Sequence, residues 1–131
     1  MSKLSDLVVN YLKENNISIN DLKDELNKLE IEVVNQFLKP EDTLVIKKNG
    51  DIEKYDPEKL ERSIKNAAGD AKAALNTSDL AIILSDVDRK LDELPRKVYR
   101  TSEIKDYVIE SLIEEGYTKV YENYLTYIQN F

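Results

Sequence analysis

The chain has 131 residues, of which 41% are hydrophobic and 34% charged, and its formal net charge is −7. This length fits one domain, or one domain with an appendage, and the composition is typical of a soluble, helix-rich protein. The sequence pI of about 4.7 argues against DNA binding, because contacts to phosphates need clustered Lys and Arg. A local basic pocket remains compatible with this balance.

Two missing residue types exclude whole classes of chemistry. The sequence has no cysteine and no histidine, which excludes disulfides, zinc ribbons, cysteine nucleophiles and histidine acid–base catalysis. No run of about 18 apolar residues predicts a transmembrane helix, and residues 1–6 lack the architecture of a signal peptide. We therefore expect a cytoplasmic protein with no membrane partner.

The first 40 residues predict two amphipathic helices. Apolar residues recur every three or four positions over residues 4–14, and Ser18 is the predicted N-cap of a second helix that Pro40 ends. Such a short segment cannot bury the apolar stripe of the second helix alone, so we expect the stripe to lie on the rest of the chain, on the first helix or on another subunit. The stripe consists of Leu22, Leu26, Leu29, Val33, Val34 and Phe37.

Residues 44–60 predict a β-hairpin followed directly by a helix. Asn49-Gly50 lies between two apolar-rich runs and predicts a type I′ turn, in which both central residues have positive φ. Asp56-Pro57 then predicts the N-cap and the first residue of a helix.

Lysines cluster on this unit. Lys47, Lys48 and Lys59 fall on or beside the hairpin, which in an acidic chain makes it a candidate anion site, aided by the amides of the helix N-terminus. On charge alone, Lys47 and Lys48 are ordinary solvated strand residues. Strand alternation puts apolar side chains on both faces of the hairpin. One face could accept a purine ring, or it could pack on the N-terminal helices.

The remaining sequence predicts four helices and a third strand. The helices cover residues 57–68, 78–93, 102–115 and 118–130, and residues 97–100 form a strand that could pair with the hairpin. Gly69 and Gly116 are predicted helix stops, Asn76-Thr77 a new cap, and Thr101 or Ser102 the cap of the third of these helices. Ala71, Ala73 and Ala74 favour helix, and Ile113 is predicted to face inward. The predicted fold class is α+β, mostly α.

The ordered motifs resemble the ATP-cone, the nucleotide-sensing domain of ribonucleotide reductases and of the repressor of their genes. The similarity extends over residues 44–131, so we expect a cone-like domain there and a helical appendage over residues 1–40. The resemblance implies a four-helix bundle capped by a three-stranded sheet, here preceded by a helical pair. The hairpin residues that match the family are Val45, Lys47, Lys48, Asn49, Gly50, Tyr55, Asp56, Lys59 and Leu60, and the later ones are Thr101, Ile104, Val108, Leu112, Gly116, Val120, Tyr124, Leu125 and Tyr127.

The resemblance also implies site roles. Lys47 and Lys59 match lysines that contact phosphates, and Lys48 matches a neighbouring basic residue that is usually arginine. The positions of Val45, Glu53 and Asp56 match positions near the adenine, Leu60 matches an apolar wall, and Thr101 matches a position near the sugar and phosphates. Asp56 and Thr101 are equally well explained as helix N-caps.

The sequence departs from the family pattern at two places. Tyr121 stands where the family commonly has a small residue, and no basic residue follows the last helix. The first departure bears on how the closing helix packs, and the second bears on binding of a second nucleotide and on a tight hold of a triphosphate. Lys105, one turn after Thr101, is a predicted partial substitute for the missing cation.

The sequence contains few of the motifs and paired residues that catalysis requires. The chain has three glycines and no phosphate-binding loop with the Gly-x-x-x-x-Gly-Lys-Ser/Thr pattern, and its 26 acidic residues are scattered rather than paired. We therefore expect no enzyme. The resemblance implies a regulatory domain that binds ATP or dATP, with or without Mg²⁺, and controls oligomerisation of itself or of a ribonucleotide reductase subunit.

Several alternatives stay open. The main one is a degenerate cone that binds no nucleotide and acts through its helices as a protein-interaction module. A DNA-binding regulator and a small ATP-using enzyme follow it. The chain could be a complete regulator that forms a homo-oligomer, or the N-terminal piece of a reductase subunit.

Overall fold

The computed structural model describes residues 1–70 and 75–129, which form an α+β, mostly helical protein. The chain divides into two compact units, Met1–Phe37 and Leu38–Phe131. The helix prediction for Ala71, Ala73 and Ala74, and the last residue of the predicted helix 118–130, lie outside the described residues. The predicted α+β class is confirmed.

The first unit holds two helices, α1 (Lys3–Glu14) and α2 (Leu22–Gln36), with a short 3-10 helix at Ile19–Asp21 before α2. Ser18 caps that short helix, since its Oγ accepts a hydrogen bond from the amide of Asn20 at 3.2 Å. Neither α1 nor α2 contains a buried residue. The most exposed of its large apolar side chains are Met1, Leu4, Leu7, Tyr11, Ile19, Leu26, Leu29, Val33 and Phe37.

The second unit begins with a small sheet. Strand β1 (Leu44–Ile46) is central, β2 (Ile52–Lys54) pairs with it antiparallel, and β3 (Val98–Arg100) pairs with it in parallel. The third strand predicted at residues 97–100 is therefore confirmed. Both Val45 and Ile46 are buried, as expected for a central strand with apolar content on both faces.

The hairpin turn differs from the prediction. Ile46 pairs with Ile52, the amide of Gly50 donates to the carbonyl of Lys47 at 2.9 Å, and the amide of Lys47 donates to the carbonyl of Asp51 at 2.8 Å. Gly50 has a φ of 93°, whereas Asn49 has no positive φ. The type I′ prediction is wrong, because this is a three-residue loop in which a tight turn is followed by one glycine with positive φ.

Four helices follow the hairpin in the described residues, with α4 and α5 packed together and α6 packed on α3 and α5. Their bounds are α3 (Pro57–Asp70), α4 (Thr77–Asp92), α5 (Thr101–Glu114) and α6 (Thr118–Gln129). The predicted inward residues Ile64, Ile83, Val87, Val108 and Leu112 are all fully buried, so the helical spacing identified the core correctly. Ile113 is an exception: it is 55% exposed, because α5 turns that position away from its neighbours.

Three predicted helix ends have different outcomes. Asn76 caps α4 through a reciprocal pair of hydrogen bonds with Asp79, and Gly116 ends α5 with a φ of 82°; both predictions are confirmed. Gly69 does not end α3, which continues to Asp70. Glycine is tolerated inside a helix at a modest cost, so it marks a stop only where positive φ is needed.

The predicted cap of α5 is also wrong. Thr101 is the first residue of the helix rather than its cap, and the N-cap position is Arg100. The Glu103 carboxylate accepts a hydrogen bond from the Arg100 amide at 3.1 Å and a charged hydrogen bond from Arg96 at 2.6 Å. Arg96 also donates to the carbonyl of Val98. These contacts fasten the start of α5 to strand β3.

Candidate functional site

A cavity of about 460 Å³ opens beside the sheet, within the second unit. Its wall runs along one face of β1 and is completed by the hairpin loop and the first turns of α3 and α5. All nine side chains predicted from sequence line it: Val45, Lys47, Lys48, Glu53, Asp56, Lys59, Leu60, Thr101 and Lys105.

Sheet topology explains why these distant residues meet. At one end of β1, Ile46 pairs with Arg100, which brings the hairpin lysines beside Thr101 at the start of α5. At the other end, Leu44 pairs with Lys54, and the chain then enters α3, which carries Lys59 in its first turn. Residues that follow or neighbour both ends of the central strand therefore contribute to the cavity wall.

Glu53 lies in the middle of this wall. It is directly opposite Val45 in the antiparallel register, so both side chains project from the same face of the sheet. Its two carboxylate oxygens approach two different lysines: Oε1 lies 3.6 Å from Nζ of Lys47 and Oε2 lies 3.9 Å from Nζ of Lys59. One carboxylate thus links the hairpin loop to α3.

Asp56 has a structural role that the sequence anticipated. Its Oδ1 accepts a hydrogen bond from the amide of Glu58 at 3.0 Å, so the carboxylate caps the N-terminus of α3. The cap therefore engages one of the helix N-terminal amides that were predicted to help hold phosphates. The carboxylate nevertheless lines the cavity, where its other oxygen could accept a hydrogen bond from an amine.

The electrostatics of the cavity oppose those of the whole chain. Five lysines line it against two carboxylates, although the net charge of the chain is −7. Lys54 lies 4.0 Å from Asp42, whereas Lys48 and Lys105 form no ion pair with any side chain that the structure describes. Such a local excess of cations attracts a ligand with several negative charges.

Sequence reasoning missed five lining residues: Lys54, Tyr55, Ser63, Ile104 and Tyr124. Ser63 follows Lys59 by four positions and Ile104 follows Thr101 by three, so helical spacing alone could have identified both. Tyr124 is 2% exposed and helps to form the floor. Lys54 neighbours Glu53 on β2, and strand alternation would have placed it on the opposite face.

Tyr55 joins the cavity to helix α4. Its ring meets that of Tyr99 edge to face, with 6.3 Å between the centroids, and its hydroxyl donates to Oδ1 of Asp88 at 3.5 Å. Burial, followed by the charge of Asp88 and this hydrogen bond, raises the pKa of Tyr55 far above its ordinary range. Partial burial and the nearby Asp92 carboxylate raise the pKa of Asp88.

The described residues contain no group of three or more Asp and Glu side chains that could hold a metal ion. No described helix is long and apolar enough to cross a membrane.

Comparison with known proteins gives one family. No curated protein matches the chain. A scan against protein families matches residues 43–130 to the ATP cone domain, a segment that includes the whole sheet, helices α3 to α6 and every residue of the cavity wall. The suspected family is confirmed, and the match extends over more than half of the chain. The chain therefore belongs to the ATP-cone family of regulatory, adenine-nucleotide-binding domains.

Proposed function

We propose that this protein is a non-catalytic sensor that binds ATP and dATP in the cavity beside β1. The observation that carries the proposal is the meeting of all nine predicted residues, with a strong excess of lysines, around one cavity of about 460 Å³. The family membership supports an adenine nucleotide as the ligand.

The cavity suits the two parts of a nucleotide. Lys47, Lys48 and Lys105, at the end where the hairpin loop meets α5, supply charged donors for phosphates. Val45 and Leu60 supply apolar surface for a purine, and both are at most 9% exposed. Asp56 supplies an acceptor for the exocyclic amine of adenine. Lys59, whose Nζ approaches the same Glu53 carboxylate as Lys47, supplies a further charged donor for phosphates, and Thr101 completes the wall.

Mg²⁺ would come with the nucleotide rather than from the protein. Of the two cavity carboxylates, Glu53 faces two lysines and Asp56 caps a helix, which leaves neither as a good ligand for a resident cation. The phosphate oxygens of a nucleotide are themselves suitable ligands for Mg²⁺.

The regulatory part of the proposal is linkage between nucleotide and assembly. ATP and dATP would each stabilise the quaternary arrangement that binds it better. The proposed domain division assigns nucleotide binding to residues 44–131, as a sheet-capped four-helix bundle, and assembly to the helical pair in residues 1–40. The exposed stripe of α2, with Leu26, Leu29, Val33 and Phe37 each at least 40% exposed, supports the second assignment. The controlled partner would be this chain itself or a ribonucleotide reductase subunit, in the cytoplasm.

Ligand-dependent thermal stability tests the binding proposal on the full chain. A nucleotide that binds the folded state only, at about a hundred times its Kd, stabilises that state by about 2.7 kcal/mol. We expect ATP and dATP to raise the melting temperature of the wild type, and a Lys47→Ala/Lys59→Ala double variant to lose most of that rise. An equal rise in the double variant would assign the binding to another place.

The second candidate function is a protein-interaction module with a cone that binds no nucleotide. The same exposed stripe on α2 favours it. It predicts unchanged melting with every nucleotide and an assembly that ATP and dATP do not alter.

A further inference from the structure

Two lysines of the cavity, Lys47 and Lys59, already form ion pairs with one carboxylate of the protein. They are called the lysine pair below. The carboxylate of Glu53 lies between Lys47 and Lys59, with one oxygen 3.6 Å from the first Nζ and the other 3.9 Å from the second. These lysines come from different elements, the hairpin loop and α3, and Glu53 comes from β2 between them in sequence. The carboxylate thus occupies the space between the two ammonium groups that a phosphate would use.

The position of this carboxylate is set by the backbone. Glu53 pairs with Val45 across the sheet, so its side chain must project from the face that lines the cavity. The other cavity carboxylate, Asp56, is engaged by the amide of Glu58 at the start of α3. Glu53 is therefore the cavity acid that directly faces the lysine pair.

We propose that Glu53 is an internal competitor of the ligand's phosphates: it is a positioning residue that holds Lys47 and Lys59 together and is displaced from them when a polyphosphate binds. This inference rests on the proposed function, because it assumes that the lysine pair receives phosphates. Its consequence is selectivity for charge. A ligand with several phosphate charges displaces the carboxylate, whereas a small anion such as inorganic phosphate does not.

The size of the effect follows from the exposure of the three side chains. Glu53 is 43% exposed, and Lys47 and Lys59 are 45% and 64% exposed, so water and salt screen the two ion pairs. We therefore expect a moderate gain in anion affinity when the carboxylate is removed, and we expect salt to reduce it.

The test is calorimetry with inorganic triphosphate, a probe that has the charges of the nucleotide and no base. At low salt, Glu53→Gln should bind inorganic triphosphate about threefold to thirtyfold more tightly than the wild type. A merely structural role for Glu53 predicts weaker or unchanged binding, so a gain in affinity separates the proposal from that role, and the control variant separates it from a change in net charge. The gain should shrink at high salt.

Glu93→Gln is the matched control. It removes the same charge from an ion pair of the same length, 3.6 Å to Arg89, and Glu93 does not line the cavity. Its affinity for inorganic triphosphate should stay within about twofold of the wild type, as expected for a screened surface charge. Glu53→Ala also removes the carboxylate and should show the same gain as Glu53→Gln, which keeps the test decisive if one variant folds poorly.

Two failures are distinguishable. If the wild type does not bind ATP, the proposed function fails. If the wild type binds ATP but neither Glu53 variant binds inorganic triphosphate more tightly than the wild type, the competitor role is overturned and nucleotide binding stands. An equal gain in Glu93→Gln would also overturn it, because the effect would then arise from net charge alone.

Discussion

Lys47 and Lys59 approach the cavity from opposite sides of Glu53 and are each about half exposed or more. Side chains so exposed contribute little to folding, since surface ion pairs are worth at most about 1 kcal/mol. The proposed function assigns both lysines to the phosphates of a ligand. Because changes at these two lysines should alter ligand binding and leave folding nearly unchanged, they test the site most directly.

Lys47→Ala and Lys59→Ala should each weaken ATP binding by about 1.5–3 kcal/mol, the range for hydrogen bonds to charged groups. The free energy of unfolding should change by less than about 0.5 kcal/mol, as for other surface positions. Calorimetry and denaturant titration measure the two quantities.

Lys65→Ala is the matched control for these variants. Lys65 lies on α3, as Lys59 does, and forms an ion pair with Glu61 at 3.2 Å, outside the cavity wall. Its ATP affinity should equal that of the wild type. Unchanged affinity in both cavity variants would remove the lysine pair from the site.

At the scale of elements, the hairpin depends on one backbone conformation. Gly50 has a φ of 93°, and a Cβ atom at that position would meet no atom within 4 Å. Gly50→Val should therefore cost about 1–3 kcal/mol of unfolding free energy through backbone strain alone. Gly50→Asn should cost less, because Asn tolerates positive φ better. Equal stability of Gly50→Val and the wild type in denaturant titration would contradict this.

The contact between Tyr55 and α4 predicts an alkaline sensitivity. The pKa of Tyr55 is raised by burial, then by Asp88, with smaller contributions from Tyr99 and Asp92, so the folded state holds its proton more tightly than the unfolded state. The stabilisation is complete below about pH 10, the ordinary pKa of tyrosine, and falls as the pH rises above it.

Tyr55→Phe tests this sensitivity. Alkaline titration of the wild type, followed by tyrosinate absorbance, should show a late phase that ends with unfolding, and Tyr55→Phe should lose one tyrosine from that phase. Tyr11→Phe, on the exposed side of α1, is the control and should leave the late phase intact. An unchanged late phase in Tyr55→Phe would contradict the shifted pKa.

Local signals predicted the elements better than their ends. The cap at Asn76 and the helix end at Gly116 could be predicted because a capping side chain and a positive φ are local requirements, and both are present. The type of the hairpin turn could not be predicted from local sequence. The pairing of Ile46 with Ile52 decides the loop length, and that pairing involves the whole sheet. Thr101 failed as a cap because Arg96 and Glu103, held by tertiary contacts, fasten that helix end.

The candidate site was predicted to a large extent because its residues follow a family order along the chain. The missing parts, such as Lys54 and Tyr124, reach the cavity because β2 pairs with β1 and α6 packs on α3 and α5. No local spacing encodes that arrangement. The ion pairs of Glu53 could not be predicted from local sequence either, because they join the hairpin loop, β2 and α3.

At the scale of the whole molecule, the exposed stripe of α2 predicts assembly. Leu26→Ser/Val33→Ser changes two side chains that are 43% and 46% exposed, so folding should be little affected. We expect the wild type to sediment as a dimer or larger species whose size depends on ATP or dATP, and the double variant to sediment as a smaller species. Nucleotide affinity should stay within about tenfold, or roughly 1.4 kcal/mol.

Ile82→Ser is the matched control, since Ile82 is an equally exposed apolar residue of α4 at 46%. It should assemble as the wild type does. A wild type that stays monomeric at high concentration with every nucleotide would contradict control of oligomerisation.

The central claim is that the cavity beside β1 binds adenine nucleotides. Calorimetric titration of the wild-type chain with ATP, dATP and GTP tests it most directly. We predict saturable binding of ATP and dATP, and binding of GTP at least about tenfold weaker, a difference of roughly 1.4 kcal/mol that the amine-accepting groups of the cavity would supply. No binding of ATP or dATP, or equal binding of all three nucleotides, would contradict the claim.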